Sequence, residues 1–279
     1  MILGEPLSGS IGFEVQGVDV RALDDSAFDE IRALWDRHLV LLFRGQTLTP
    51  DEQVAFAARL GTVRGAPASS GESLEARYTA IIGNRTVNGR APVLPDGEMW
   101  FHFDQMYSRQ PAAAGILYGI EVPSQGGATL FANASSAYDD LPEDLRATLL
   151  GLTAEHIYDY RATTRNVTAS EAEAMSFEHP VVVEHPRTGR CSLFVSRLMT
   201  SRIVELEPGE SKAILERLFS HVENRRYVYE HHWRRGDLLV WDNTGALHAR
   251  TDFDPRAARI LRRVSLERDG APRAPASTH

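Results

Sequence analysis

The chain has 279 residues, 43% of them hydrophobic, and a formal charge of −8: ample material for a buried core and the wrong sign for a nucleic-acid partner. A single cysteine, Cys191, excludes an internal disulfide framework and thiolate metal chemistry. Met1 to Gly12 lacks a basic start and a long apolar run, and no stretch approaches the roughly 18 apolar residues of a membrane span, so a cytoplasmic protein with no membrane partner is expected.

Ile11 to Val20 reads as an opening strand broken by Gly12 and Gly17. Asp24, Asp25 and Ser26 can cap a helix that turns Ile31, Leu34, Trp35 and His38 to one face. Leu39 to Phe43 is a buried-strand candidate, and Thr49-Pro50-Asp51-Glu52 combines a capping box with a first-turn proline to start a helix reaching Leu60. Gly65 to Ser73 reads as a loop, Tyr78 to Ile82 as a strand, and Asn88-Gly89 as a hairpin turn. Pro92 to Gly97 is a turn-rich approach to Met99-Trp100-Phe101-His102-Phe103-Asp104-Gln105.

Ala112 to Val122 is a further strand, Gly126 to Phe131 a turn feeding a strand, and Ser135 to Leu150 a helix broken at Pro142. His156 to Met175 is polar and aperiodic, which predicts a lid over residues Tyr158 to Ala174. Pro180–Val183 and Cys191–Val195 are strands joined by a turn at Arg187-Thr188-Gly189, and Glu210 to Val222 is an amphipathic helix. Tyr227–Trp233, Asp237–Trp241 and Leu261–Leu266 complete the strands, and a disordered tail is expected from Gly270 to His279. The pattern predicts one domain over residues 1–269, mainly β with flanking helices, a sandwich or jelly roll in preference to a doubly wound α/β fold.

In an extended strand, His102 and Asp104 point to one side and can reach one point. A His-x-Asp pair also arises by chance, so the partners decide. Among the ten histidines, His38 sits on a helix core face, while His179 and His185 precede prolines at strand edges. His231 and His232 face opposite ways, so at most one is internal. His248 follows the buried run Leu238 to Asn243, where a rigid scaffold presents a ligand. Arg259 and Arg263 share one face of a strand, and two arginines turned inward are costly unless they meet anions.

Together, His102-Phe103-Asp104, Gly126-Gly127-Ala128-Thr129, Trp241-Asp242-Asn243, His248, Arg259 and Arg263 resemble the taurine/2,4-dichlorophenoxyacetate dioxygenase family of Fe(II)- and 2-oxoglutarate-dependent oxygenases. The resemblance runs from Gly17-Val18-Asp19 to about Arg268. It implies a double-stranded β-helix (jelly-roll) core, with His102, Asp104 and His248 as Fe(II) ligands. It implies that Thr129 and Arg259 hold the distal carboxylate of 2-oxoglutarate, and that Arg263 lies near the iron, facing cosubstrate or substrate. A facial triad leaves positions open for the keto acid and O₂. The implied reaction releases succinate and CO₂ and oxidises a C–H bond of a small molecule, by hydroxylation as the default, with ascorbate as an in vitro reductant. Halogenation is disfavoured because Asp104 fills the position a halide would need. A homo-oligomer, dimer or tetramer, is expected.

The departures from the family concern the substrate. Phe101 precedes the first histidine, Glu98 stands four residues before it, and Thr62 to Ala76 contains neither His nor Lys. Neither taurine nor a phenoxyacetate is therefore well supported. Glu98 and Arg263 on opposite sides would suit a zwitterionic or anionic metabolite, with Gln105 and Tyr107 at the pocket wall. A solvated Glu98 beside Asp96 is the plainer reading. The alternatives from other classes are a jelly-roll binding or sensor protein with a vestigial metal site, and a structural zinc site, the latter disfavoured because such sites are closed and thiolate-rich.

Overall fold

The computed structural model describes residues 2–65, 73–94, 97–158 and 175–276. Strands and helices are numbered in chain order. The larger sheet has seven strands, running edge to edge as β1 (Leu3–Pro6), β2 (Phe13–Gln16), β3 (Val40–Phe43), β14 (Leu238–Asp242), β6 (Ala114–Glu121), β16 (Ile260–Leu266) and β4 (Ala80–Gly83). Facing it is a four-stranded sheet: β13 (Val228–His231), β7 (Thr129–Asn133), β15 (Ala246–Arg250) and β5 (Met99–His102). All pairings within these sheets are antiparallel except β2 with β3. This is a jelly-roll core, mainly β with flanking helices.

Strand periodicity builds the sandwich. On β3, Val40 and Leu42 face the second sheet while Leu41 and Phe43 face the helices; on β14, Leu239 and Trp241 point inward while Leu238 and Val240 point outward. The apolar runs therefore carry no alternation because both faces are covered. Trp241 is fully buried between the sheets, opposite Gly115 on β6, where any Cβ would fall 2.1 Å from the indole. Outside the larger sheet, α1 (Asp25–His38) and α2 (Pro50–Leu60) supply Phe28, Ile31, Trp35, Phe56 and Leu60. Asp24 caps α1, and α2 has the full Thr49/Glu52 capping box.

The second sheet is backed by α4 (Ala134–Asp139), α5 (Glu143–Leu149) and α6 (Pro208–Val222). The same layer contains a three-stranded sheet of β12 (Thr200–Ile203), β8 (Thr153–Ile157) and β9 (Ser176–Pro180), with the ribbon β10 (Val182–Glu184) and β11 (Cys191–Leu193). No described helix is long and apolar enough to cross a membrane.

Several elements differ from the sequence reading. Residues Leu74–Tyr78 form a short helix, α3, before β4, whereas the helical stretch over 135–150 is broken at Pro142 as expected, with Asp140, Leu141 and Pro142 between α4 and α5. β1, β8, β9, β12 and β15 were not foreseen; β15, Ala-Leu-His-Ala-Arg, is short, has no β-branched residue and is buried on both faces. Within the stretch expected as a tail, the Arg273 carbonyl accepts from Glu184 N–H of β10 at 2.9 Å, and residues 277–279 lie outside the described residues. Of the expected lid, residues 159–174 also lie outside them.

Candidate active site

The site lies where β5 ends against β15. His248 on β15 is directly opposite His102, the last residue of β5, and the imidazole centroids are 4.2 Å apart. Asp104 is not in the strand but at the start of the turn that follows it, where Gln105 adopts φ +61°. The turn is held from outside. Asn243 Oδ1 accepts from Asp104 N at 2.8 Å, and Asn243 Nδ2 donates to the carbonyls of Asp104 at 3.1 Å and Ala112 at 2.8 Å. One ligand atom from each of His102, Asp104 and His248 lies within 4.8 Å of the others, the one such cluster found among the described residues.

The protonation states suit ligation. Burial pulls both imidazoles below their ordinary value, His248 to about 3, so both are neutral at physiological pH. His102 Nδ1 donates to the Trp100 carbonyl at 2.8 Å, leaving its Nε2 lone pair for the cluster. Burial alone would raise the Asp104 carboxyl, but the guanidinium charges beside it, Arg263 first and then Arg64, hold it below its ordinary value and ionised. Arg263 is the nearest of them, with Nη1 3.2 Å from Asp104 Oδ1. Two neutral imidazoles and one carboxylate at one point, with no fourth protein ligand in the cluster, fit an open divalent-metal site.

Beside the cluster is a small cavity lined by His102, His248, Thr129, Trp241 and the three arginines Arg250, Arg259 and Arg263, together with the apolar Ile82, Leu94, Met99, Leu117 and Ala249. Arg259 is only 2% exposed; its Nε donates to the Gly127 carbonyl at 3.0 Å, while its buried Nη1 has no partner among the described residues. Burial, with Arg250 nearby, pulls this guanidinium down to about 9, still charged at neutral pH. A buried cation aimed into a cavity without a counter-charge is costly unless an anion joins it. The preceding turn makes room for it: Gly126 and Gly127 have φ of +72° and +65°, and a Cβ on Gly127 would lie 3.0 Å from Arg259 Cδ and Nε.

The remaining expected residues are less concentrated. Gln105 accepts from Arg64 and its carbonyl accepts from Ser108 N–H at 2.9 Å, so it shapes the turn. Tyr107 packs edge-on against Tyr158 at 4.7 Å, and burial pushes its hydroxyl up to about 12. Glu98 is exposed and does not line the cavity. His179 and His185 have structural partners, His179 Nε2 donating to the Ser108 carbonyl at 2.9 Å and His185 Nε2 to Asp242 at 2.8 Å. His231 is internal and His232 exposed. Sequence reasoning missed Arg250, which donates to the carbonyls of Leu94 at 2.7 Å and Gly97 at 2.9 Å and so fastens the approach to β5. It also missed the clamp made by Asn243, whose position after a buried strand was a usable signal.

Residues 3–265 match the family described as Taurine catabolism dioxygenase TauD, TfdA family. The chain belongs to the TauD/TfdA family. It is 34% identical over 278 residues to pentalenolactone F synthase of Streptomyces arenae, covering 93% of each protein. It is 32% identical over 280 residues to the alpha-ketoglutarate-dependent 2,4-dichlorophenoxyacetate dioxygenase of Cupriavidus pinatubonensis, covering 95% of this chain and 97% of that one. Among solved structures, a taurine dioxygenase from Burkholderia xenovorans superposes with a TM-score of 0.82 at 32% identity, over 98% of this chain and 91% of the other. AAD-2 in complex with Mn(II) and N-oxalylglycine gives 0.78 at 25% identity, over 97% and 99%. As a TauD/TfdA member this protein is a 2-oxoglutarate-dependent dioxygenase, an oxidoreductase.

Proposed function

We propose that the protein uses Fe(II), 2-oxoglutarate and O₂ to oxidise a C–H bond of a small anionic metabolite, by hydroxylation in the simplest case, releasing succinate and CO₂. The observation that carries this reading is the unpartnered guanidinium of Arg259 in the cavity it shares with His102 and His248. A keto acid that chelates a metal at the cluster and bears a second carboxylate would give that cation its missing charge. The AAD-2 structure, by its description, holds Mn(II) and N-oxalylglycine, an oxo-dicarboxylate of the same chain length as 2-oxoglutarate.

In this reading His102, Asp104 and His248 hold the iron, and Arg259 and Thr129 take the distal carboxylate. The bound iron, with 2-oxoglutarate and O₂, supplies the oxidising power to attack an unactivated C–H bond. The chain supplies placement. Arg263 keeps Asp104 ionised, the Trp100 carbonyl fixes the His102 tautomer, and Asn243 holds the ligand-bearing turn. Ile82, Leu94, Met99 and Leu117 keep the cavity apolar, which strengthens the pairing of Arg259 with a carboxylate.

The anionic substrate class rests on Arg263. Beyond its contact with Asp104, its Nε and Nη2 have no partner among the described residues, so a cationic edge is available beside the cluster. The acidic half of a zwitterion site has no comparable support, because Glu98 is exposed. The test is anaerobic: Fe(II) and 2-oxoglutarate added to the purified protein should give a visible charge-transfer absorption, and admission of O₂ with ascorbate present should yield succinate. No absorption and no succinate would return the chain to the binding-protein reading.

A further inference from the structure

Thr129 is tied to one residue of the described chain by its side chain, and that bond fixes what the hydroxyl can do. The indole Nε1–H of Trp233 donates to Thr129 Oγ1 at 2.9 Å, across 104 residues of sequence. A hydroxyl that accepts there still has its own proton to donate, and Thr129 Oγ1 donates to no described residue, although the side chain is 3% exposed and lines the cavity with Arg259. We propose that Trp233 is a positioning residue: by occupying the acceptor side of Thr129 Oγ1 it turns the hydroxyl proton into the cavity, toward the carboxylate that Arg259 awaits. This rests on the 2-oxoglutarate reading above.

The indole is itself braced. His231 lies perpendicular to it, 4.7 Å between centroids and 87° between planes. That imidazole is held by Tyr229 Oη, 3.0 Å from Nδ1, and Asp237 Oδ2 lies 3.0 Å from its Nε2. Gly119 also leaves room for the indole, since a Cβ there would lie 3.3 Å from its ring. A phenyl ring could fill most of that slot but could not donate. Without the indole N–H the threonine hydroxyl has no reason to prefer the cavity, and part of its contribution to carboxylate binding is lost.

The test compares two keto acids in anaerobic binding to the Mn(II)-loaded protein, followed by calorimetry. 2-Oxoglutarate carries the distal carboxylate; 2-oxopentanoate replaces it with a methyl group. The variants are Trp233→Phe, Thr129→Val and the double variant. In the wild type 2-oxoglutarate should bind more tightly than 2-oxopentanoate. Trp233→Phe should narrow that preference about 3- to 10-fold, the size of one hydrogen bond, while leaving 2-oxopentanoate binding within about 2-fold. In the Thr129→Val background the same change should have no further effect on the preference, because there is no hydroxyl left to orient. An unchanged preference in Trp233→Phe, or an equal loss for both keto acids, overturns the positioning role. A wild type that does not distinguish the two acids overturns the underlying 2-oxoglutarate reading instead.

Discussion

Arg263 Nη1 and Asp104 Oδ1 are 3.2 Å apart, so the carboxylate of the metal cluster has a partner before any ion arrives. The pair keeps Asp104 ionised despite burial, which raises the group on its own. Metal binding therefore requires no deprotonation of this ligand near neutral pH. Asp104→Ala should abolish both Mn(II) binding and succinate formation. The fold should survive, since Asp104 sits in a turn and not in an apolar cluster. Calorimetric metal titration alongside a melting curve checks both halves; retained metal affinity would remove Asp104 from the ligand set.

Arg259→Lys keeps a cation but loses the fork. The Nε bond to the Gly127 carbonyl fixes the plane of the guanidinium in the wild type, and a lysine cannot reproduce that bond together with a bidentate contact. The apparent KM for 2-oxoglutarate should rise by at least about tenfold, corresponding to roughly 1.4 kcal/mol. An unchanged KM would mean that the distal carboxylate binds elsewhere.

How much of this was legible depended on sequence distance. His102 with Asp104, and Arg259 with Arg263, are short-range pairs whose closeness in sequence was readable, although Asp104 reaches the site from the turn after β5 and not from the strand. Gly126-Gly127 was equally readable, because left-handed turns favour glycine. The strand carrying His248 was not, because β15 is buried on both faces and shows no alternation. The bond between Trp233 and Thr129 spans 104 residues and has no local signature at all. Glu98 shows the reverse error: proximity in sequence to His102 suggested proximity to the site, yet its side chain points to solvent.

Asn243 joins two segments that the fold must hold in register, the Asp104 turn and Ala112. Asn243→Ala would leave Asp104 N–H and two carbonyls without these partners in a buried position. Each unsatisfied group costs about 1–3 kcal/mol, so a clear fall in melting temperature is expected. Metal affinity should drop by about 10- to 100-fold, the usual effect of removing support behind a ligand. Unaltered metal affinity in a destabilised variant would make Asn243 a folding residue only.

His179 gives the protein an acid-side weakness of definite sign. Burial pulls it from 6.5 to about 4, and its Nε2–H donates to the carbonyl of Ser108 in the turn beyond Asp104. Above pH 6.5 the imidazole is neutral whether the chain is folded or not, so its contribution to stability is fully present. As pH falls from about 6.5 toward 4 the unfolded chain takes up a proton that the folded one refuses, and stability is lost, by roughly 3 kcal/mol at the upper limit. His156, fully buried 5.7 Å away and also pushed down by burial, adds to the same trend. His179→Gln can still donate to Ser108 but cannot titrate, so its denaturant midpoint should fall less steeply across that interval than the wild type's. Parallel curves for the two proteins between pH 6.5 and 4 would show that the acid sensitivity arises at other groups.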